Sequence, residues 1–157
     1  MIVKFNNFIK ESIDEFINKM VSQDDYDEAL SDLTDNYGDI NTAKERLDWY
    51  LQDIGNIQIN GGTLYRLVFL KNLNELRNND LGEYWTVYKD DISRYYHNIY
   101  VEDENMKPYL IIGKFEPNSI DIKSSLLQFS QIPDEYEVNI IKQPIDYKIE
   151  LYKKPSF

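Results

Sequence analysis

The chain has 157 residues, of which 42% are hydrophobic, and a formal net charge of −11, so it can bury the core of one domain. The lack of cysteine excludes disulfides and thiolate chemistry, and a single histidine excludes a poly-histidine metal site. No apolar run approaches a membrane-spanning length, and the acidic balance argues against general nucleic-acid binding, which needs a basic surface.

These features predict a cytoplasmic protein with no metal site and no membrane segment. Residues 1–19 carry scattered charges and no signal-peptide core. The negative charge is concentrated at the N-terminal side, with −8 in residues 1–54 and −3 in residues 55–157. This acidic part is either a solvated face, which is the simpler interpretation, or a surface that approaches a basic partner. The oligomeric state is left open.

The first third of the chain is predicted to form three helices. Residues 4–21 have apolar side chains at helical spacing, and residues 24–37 form a shorter, acidic helix that Gly38 ends. Thr42 opens a capping-box pattern, so a third helix is predicted to begin there and to end at Gly55-Asn56. Its buried side consists of Leu47, Tyr50, Leu51 and Ile54.

Short β-branched and aromatic runs follow, and they predict strands. The runs lie at 57–59, 63–70 and 108–115, and the last is apolar enough for a central strand. Residues 81–88 are predicted to form a turn followed by a short aromatic strand. Residues 89–98 are predicted to be helical.

Two more strands are predicted near the end of the chain. Residues 120–129 are expected to be irregular or a single helical turn, and strands over 136–142 and 145–153 are expected to form a hairpin around Gln143-Pro144. Together the elements predict a single α+β domain over 1–157. A helical portion (1–56) would pack on a mainly antiparallel sheet formed by a β-rich core (57–157).

Three places in the β-rich part combine polar residues with extended backbone. Arg66 lies inside an apolar strand, so its guanidinium must meet a carboxylate, a phosphate or water. A glycine turn at Gly82 leads into the aromatic run Tyr84–Thr86, which is either a wall for a planar ligand or ordinary core.

The third place is the pair Glu135 and Glu137. If the strand begins by Glu135, both carboxylates share one face about 7 Å apart. Paired carboxylates suit a reaction with an oxocarbenium-like transition state, although such a pair is more often the solvated face of a strand.

The order of these segments resembles the mono-ADP-ribosyltransferase family. A Tyr65-Arg66 strand, a Gly82-led Trp85-Thr86 strand and a late Glu135-x-Glu137 strand are similar to its arginine–serine–glutamate class, particularly to small bacteriophage-encoded members. The resemblance covers residues 61–152 and implies a split, ADP-ribosyltransferase-like sheet that binds NAD+ as a substrate.

The resemblance also implies roles for individual residues. Arg66 would hold the phosphate or ribose of NAD+, and Thr86 would stand in the Ser-Thr-Ser motif, of which both serines are missing. Glu137 would be the catalytic glutamate, and Glu135 would orient or deprotonate an arginine acceptor on a host protein. It implies further NAD+ contacts for Tyr65, Tyr84 and Trp85. A dianionic cofactor also needs local positive potential, which Arg66 would supply together with Arg77 or Arg94.

Two other functions remain open on the sequence. The same sheet would also suit an inactive phage protein that binds and inhibits a host partner, which the incomplete Ser-Thr-Ser motif favours. A carboxylate-pair glycoside hydrolase would use the glutamates but would leave Arg66 unexplained. His97, the single histidine, is interpreted as a surface or helix-end residue.

Overall fold

The computed structural model describes residues 13–77, 80–93 and 105–153. They form an α+β fold in which helices pack on a five-stranded antiparallel sheet, as predicted. The helices are α1 (13–20), α2 (Gln23–Tyr37), α3 (Ile40–Asn60) and α4 (Ile122–Gln131). The strands are β1 (Gly62–Leu70), β2 (Tyr84–Thr86), β3 (Lys107–Phe115), β4 (Glu137–Asn139) and β5 (Asp146–Leu151). Short 3-10 turns cover Leu73–Glu75, Lys89–Asp91 and Pro133–Glu135.

The helix starts follow from capping side chains. Ser22 accepts a hydrogen bond from the Asp25 amide at the start of α2, and Gly38 ends that helix with φ of 74°, as predicted. The predicted start of α3 at Thr42 is wrong. Asp39 caps this helix instead, and the Thr42 hydroxyl donates to the Asp39 carboxylate at 2.7 Å. These bonds lower the pKa of Asp39.

The predicted end of α3 at Gly55-Asn56 is also wrong, and the expected strand over 57–59 is helical. Gly55 allows α1 to approach, since an added Cβ would lie 3.0 Å from Cγ2 of Ile13. The helix ends at Gly61, where φ is 73° and an added Cβ would lie 2.5 Å from the Phe115 carbonyl oxygen.

The sheet has the order β4-β2-β1-β3-β5. Strands β1 and β3 pair over their full length, from Gly62 with Phe115 to Leu70 with Lys107. Strands β1 and β2 share a single pair, Tyr65 with Thr86. The sheet is therefore nearly divided between β1 and β2.

The predicted hairpin of the last two strands is wrong, because β4 and β5 lie at opposite edges of the sheet. The segment between them crosses one end of the sheet instead of turning. Gln143 fixes it there, since its side chain accepts from the Leu81 amide at 2.8 Å and lies 3.4 Å from the Gly82 carbonyl. Gln143 thus holds the segment between β4 and β5 against the residues that precede β2.

The prediction that residues 120–129 are irregular or a single helical turn is wrong, because α4 is a helix of ten residues. Asp121 caps it by accepting from the Ser124 amide at 3.1 Å. Its buried face includes Ile122, Leu126 and Phe129, which pack on the main core. Three serines and a lysine in the helix make this amphipathic pattern hard to recognise in the sequence.

The main core lies between the helices and one face of the sheet, and it includes Leu33, Leu47, Leu64, Ile111 and Val138. A smaller cluster of Leu67, Ile92 and Leu110 lies on the opposite face. Within the three described ranges, no helix is long and apolar enough to cross a membrane. The predictions for residues 4–12 and 94–98, with Arg94 and His97, fall outside the described residues.

Candidate active site

The three strands that carry the predicted site are direct neighbours. The order β4-β2-β1 places the strand of Glu137 beside the strand of Thr86, and that strand beside the one of Arg66. Thr86 pairs directly with Glu137 on one side and with Tyr65 on the other. Since direct cross-strand partners point to the same face, Tyr65, Thr86 and Glu137 share one face of the sheet.

These residues line a small hollow, which we call the sheet cavity. Its volume is about 160 Å³. Six of the predicted site residues line it, namely Tyr65, Arg66, Tyr84, Trp85, Thr86 and Glu137, together with Leu67 and Ile92. Six of the predicted residues thus line one hollow, which is smaller than the usual pocket for a drug-sized ligand, about 300–1,000 Å³.

The side chain of Arg66 leaves the sheet on the other face from Thr86 and Glu137. Tyr65 and Arg66 alternate along β1, and Arg66 pairs with Ile111, a residue of the main core. The guanidinium donates from Nη1 to the Tyr84 carbonyl oxygen at 2.7 Å, where β1 and β2 separate. It thus lies at the divide between the strands.

The guanidinium of Arg66 packs directly against the backbone of Gly82. The φ of Gly82 is 105°, and an added Cβ would lie 2.4 Å from Arg66 Nε. Two separate constraints therefore require glycine at position 82. The positive φ disfavours other residues, and Arg66 leaves no room for a side chain.

Gly82→Ala is expected to destabilise the fold and to displace the Arg66 guanidinium. Gly38→Ala is a matched control, because Gly38 has φ of 74° but nothing within 4 Å of an added Cβ. The control should cost about 1 kcal/mol in unfolding free energy from backbone strain, and Gly82→Ala about 1–3 kcal/mol more. Denaturant titrations measure both, and equal losses would contradict the contact with Arg66.

Thr86 does not bond to the Glu137 carboxylate. Its buried hydroxyl donates to the Tyr136 carbonyl at 3.2 Å, so it fixes the residue that precedes Glu137. The Glu137 carboxylate accepts from the Gln128 amide of α4 at 3.2 Å, and its main-chain carbonyl accepts from the Tyr50 hydroxyl. The side chain and backbone of Glu137 are therefore held by two helices.

The prediction that Glu135 and Glu137 stand side by side on one face is wrong. Glu135 belongs to the 3-10 turn Pro133–Glu135, and the strand begins only at Glu137. Tyr136, between them, is left-handed with φ of 49°, which reorients the chain. Burial raises the pKa of Glu135.

Tyr84 and Trp85 have different environments. Tyr84 is 42% exposed. The Trp85 indole is buried, donates to the Gly82 carbonyl at 2.9 Å, and makes an edge contact with Phe115 at 5.0 Å between ring centroids. Tyr84 therefore offers an accessible ring, whereas the indole of Trp85 packs in the core.

The sequence did not identify a carboxylate held by two tyrosines beside this site. Asp53 Oδ2 accepts hydrogen bonds from the Tyr88 hydroxyl at 2.8 Å and the Tyr136 hydroxyl at 2.6 Å. Burial and the bond to Asp53 raise the pKa of Tyr88 to about 12, and the same causes raise that of Tyr136. Only the tertiary fold brings these residues together.

The raised tyrosine pKa values predict a loss of stability in alkali. Unfolded tyrosine ionises near its ordinary pKa of 10.0, and Tyr88 in the fold near about 12. The folded state therefore holds more protons, and stability that is complete below pH 10 is lost as the pH rises toward 12. Denaturant midpoints at about pH 9 and pH 11 measure the loss, which Asp53→Asn should reduce. An unchanged midpoint would contradict this coupling.

Arg77, predicted to add positive potential, does not line the sheet cavity, and its backbone pairs with that of Asp80 in an isolated antiparallel β-bridge. In the described part of the chain, no group of His, Asp or Glu side chains could hold a metal ion. Comparison of the chain with protein-family models, with curated proteins and with solved structures gives no significant match.

Proposed function

We propose that this chain is an NAD+-dependent mono-ADP-ribosyltransferase, a phage or bacterial effector that modifies a host protein, with arginine the favoured acceptor. The observation that carries the proposal is the adjacency of the three motif strands. Thr86 and Glu137 are direct cross-strand partners, and Arg66 on the next strand lines the same cavity.

The chemistry asks for a carboxylate close to a developing cation. Breaking the bond between C1′ of the ribose and nicotinamide leaves positive charge on the sugar while nicotinamide departs with the electron pair. A fixed carboxylate lowers the energy of that state. Glu137 is partly buried and its carboxylate is oriented by Gln128, which suits this role.

The other residues would support Glu137. Thr86 would act as a positioning residue, because its hydroxyl holds the Tyr136 carbonyl directly before Glu137. Glu135, which lies in the turn before β4 and outside the lining of the sheet cavity, would accept the proton that the arginine acceptor loses as the new carbon–nitrogen bond forms. Its raised pKa makes it a stronger base once it is ionised.

A second candidate, an inactive protein of this fold that binds a host partner, is favoured by a specific observation. The sheet cavity of about 160 Å³ is small for a dinucleotide, and the Arg66 side chain lies on the opposite face from Glu137. If this candidate is correct, Arg66→Ala leaves the effect on the host intact, because no NAD+ is used.

Incubation with labelled NAD+ and a host-cell lysate tests the proposal. The expected result is a labelled protein band that requires the chain and that Arg66→Ala weakens. A chain that binds lysate proteins but transfers no label, at any NAD+ concentration, would overturn the enzymatic proposal and favour the binding protein.

A further inference from the structure

A second and larger hollow, which we call the Asp53 cavity, lies between α3 and the turns Lys89–Asp91 and Pro133–Glu135. Its volume is about 550 Å³, within the usual range for small-molecule sites, and it shares no lining residue with the sheet cavity. Its lining includes Trp49, Asp53, Tyr88, Asp91, Asp134 and Tyr136.

The charges of this cavity favour a cation. Asp53, Asp91 and Asp134 line it, whereas Arg46 is the only basic residue among its lining residues in the described chain. An anionic ligand would meet repulsion there, while a cation is attracted by the summed field of the carboxylates.

The aromatic residues favour a flat cation. Trp49 is 50% exposed and Tyr88 is 48% exposed, so ring surface is accessible at the cavity. The guanidinium carbon of Arg46 lies 5.0 Å from the ring centroid of Trp49, so a guanidinium of the chain itself already lies over this indole, and a bound guanidinium would share or take over that contact. A planar, weakly hydrated guanidinium stacks on such rings better than an ammonium does.

Asp53 supplies a carboxylate that is fixed in advance. Tyr88 and Tyr136 both donate to Oδ2, so Oδ1 has no hydroxyl or amide donor among the described residues. A carboxylate held this way loses little conformational entropy when it accepts a charged N–H group.

We infer that the Asp53 cavity binds a guanidinium group, which bonds to Oδ1 of Asp53 and stacks against the exposed aromatic rings beside it. The group belongs either to a free small cation or to an arginine side chain of another protein. This inference does not depend on NAD+ chemistry.

Calorimetric titration of the full chain with N-butylguanidinium tests the inference, and N-butylurea is the neutral control of the same shape. We expect binding of the cation only. Asp53→Asn keeps the shape of the side chain and should weaken binding about tenfold or more. Asp32→Asn, an exposed change of the same charge on α2, should leave the affinity unchanged.

A second variant, Trp49→Leu, tests the inference even if Asp53→Asn does not fold. Trp49→Leu changes a half-exposed side chain and should weaken binding severalfold while the circular dichroism spectrum stays unchanged. Equal binding of N-butylurea, no binding of either compound, or equal affinities of Asp53→Asn and Asp32→Asn would each overturn the inference. An arginine-containing peptide that binds more tightly than N-butylguanidinium identifies a protein side chain as the source, and equal affinities identify a free cation.

Discussion

Glu137→Gln is expected to lower the rate of ADP-ribose transfer on the order of 1,000-fold with little change in NAD+ affinity. The amide keeps the size of the side chain and can still accept the bond from Gln128. It loses the negative charge, which matters most when nicotinamide departs and the sugar becomes cationic. The loss should therefore appear in kcat.

Single-turnover transfer of labelled ADP-ribose, with NAD+ affinity measured separately, checks this prediction. Glu45→Gln, an exposed change on α3, is the matched control and should transfer at the parent rate. If Glu137→Gln transferred as fast as this control, Glu137 would not be the catalytic glutamate.

Tyr50→Ala is expected to cost about 4 kcal/mol of unfolding free energy, and Tyr50→Phe about 1–2 kcal/mol. Tyr50 is fully buried and stacks on Phe129 with 4.0 Å between ring centroids. Its hydroxyl bonds to the carbonyls of Ser125 and Glu137. This side chain of α3 thereby connects α4 and β4. Its removal leaves a cavity in the core and takes away the hydrogen-bond donor of both carbonyls.

Urea unfolding followed by helical circular dichroism and by tryptophan fluorescence measures both losses. We expect the two signals to change together in the parent and in both variants, because α3, α4 and the sheet share one core. Two results would contradict this role of Tyr50. One is helical circular dichroism that persists at urea concentrations where the tryptophan fluorescence has already changed, and the other is an equal loss of unfolding free energy in Tyr50→Phe and Tyr50→Ala.

The sequence predicted the elements whose signals are local. The end of α2 at Gly38 and the buried face of α3 follow from a left-handed cap and from helical spacing. The strands β1 and β3 follow from β-branched and apolar runs. The predicted end of α3 at Gly55 was wrong, because residue type alone does not distinguish a glycine that lets a neighbouring helix approach from a glycine that ends a helix.

Features that depend on distant contacts were out of reach. Strand β4 pairs with β2 and not with the later β5, a choice set by tertiary packing. The left-handed Tyr136 separates two glutamates that a uniform strand would have aligned. Asp53 meets Tyr88 and Tyr136 across 35 and 83 residues of sequence, which no local pattern records.

In the candidate site, too, the strands could be predicted from local patterns, whereas the directions of the side chains could not. Arg66, Thr86 and Glu137 were located around one cavity because each lies in a recognisable strand. The face of each side chain depends on register, and the register places the Arg66 side chain opposite to the other two.

Nuclear magnetic resonance titration of the labelled chain with NAD+ tests the central claim most directly. Binding of NAD+ at the divide between β1 and β2 predicts saturable shifts of the amide signals of Tyr65, Thr86 and Glu137, with smaller shifts in Arg66→Ala. An absence of shifts at millimolar NAD+, or shifts confined to residues distant from these strands, would contradict it.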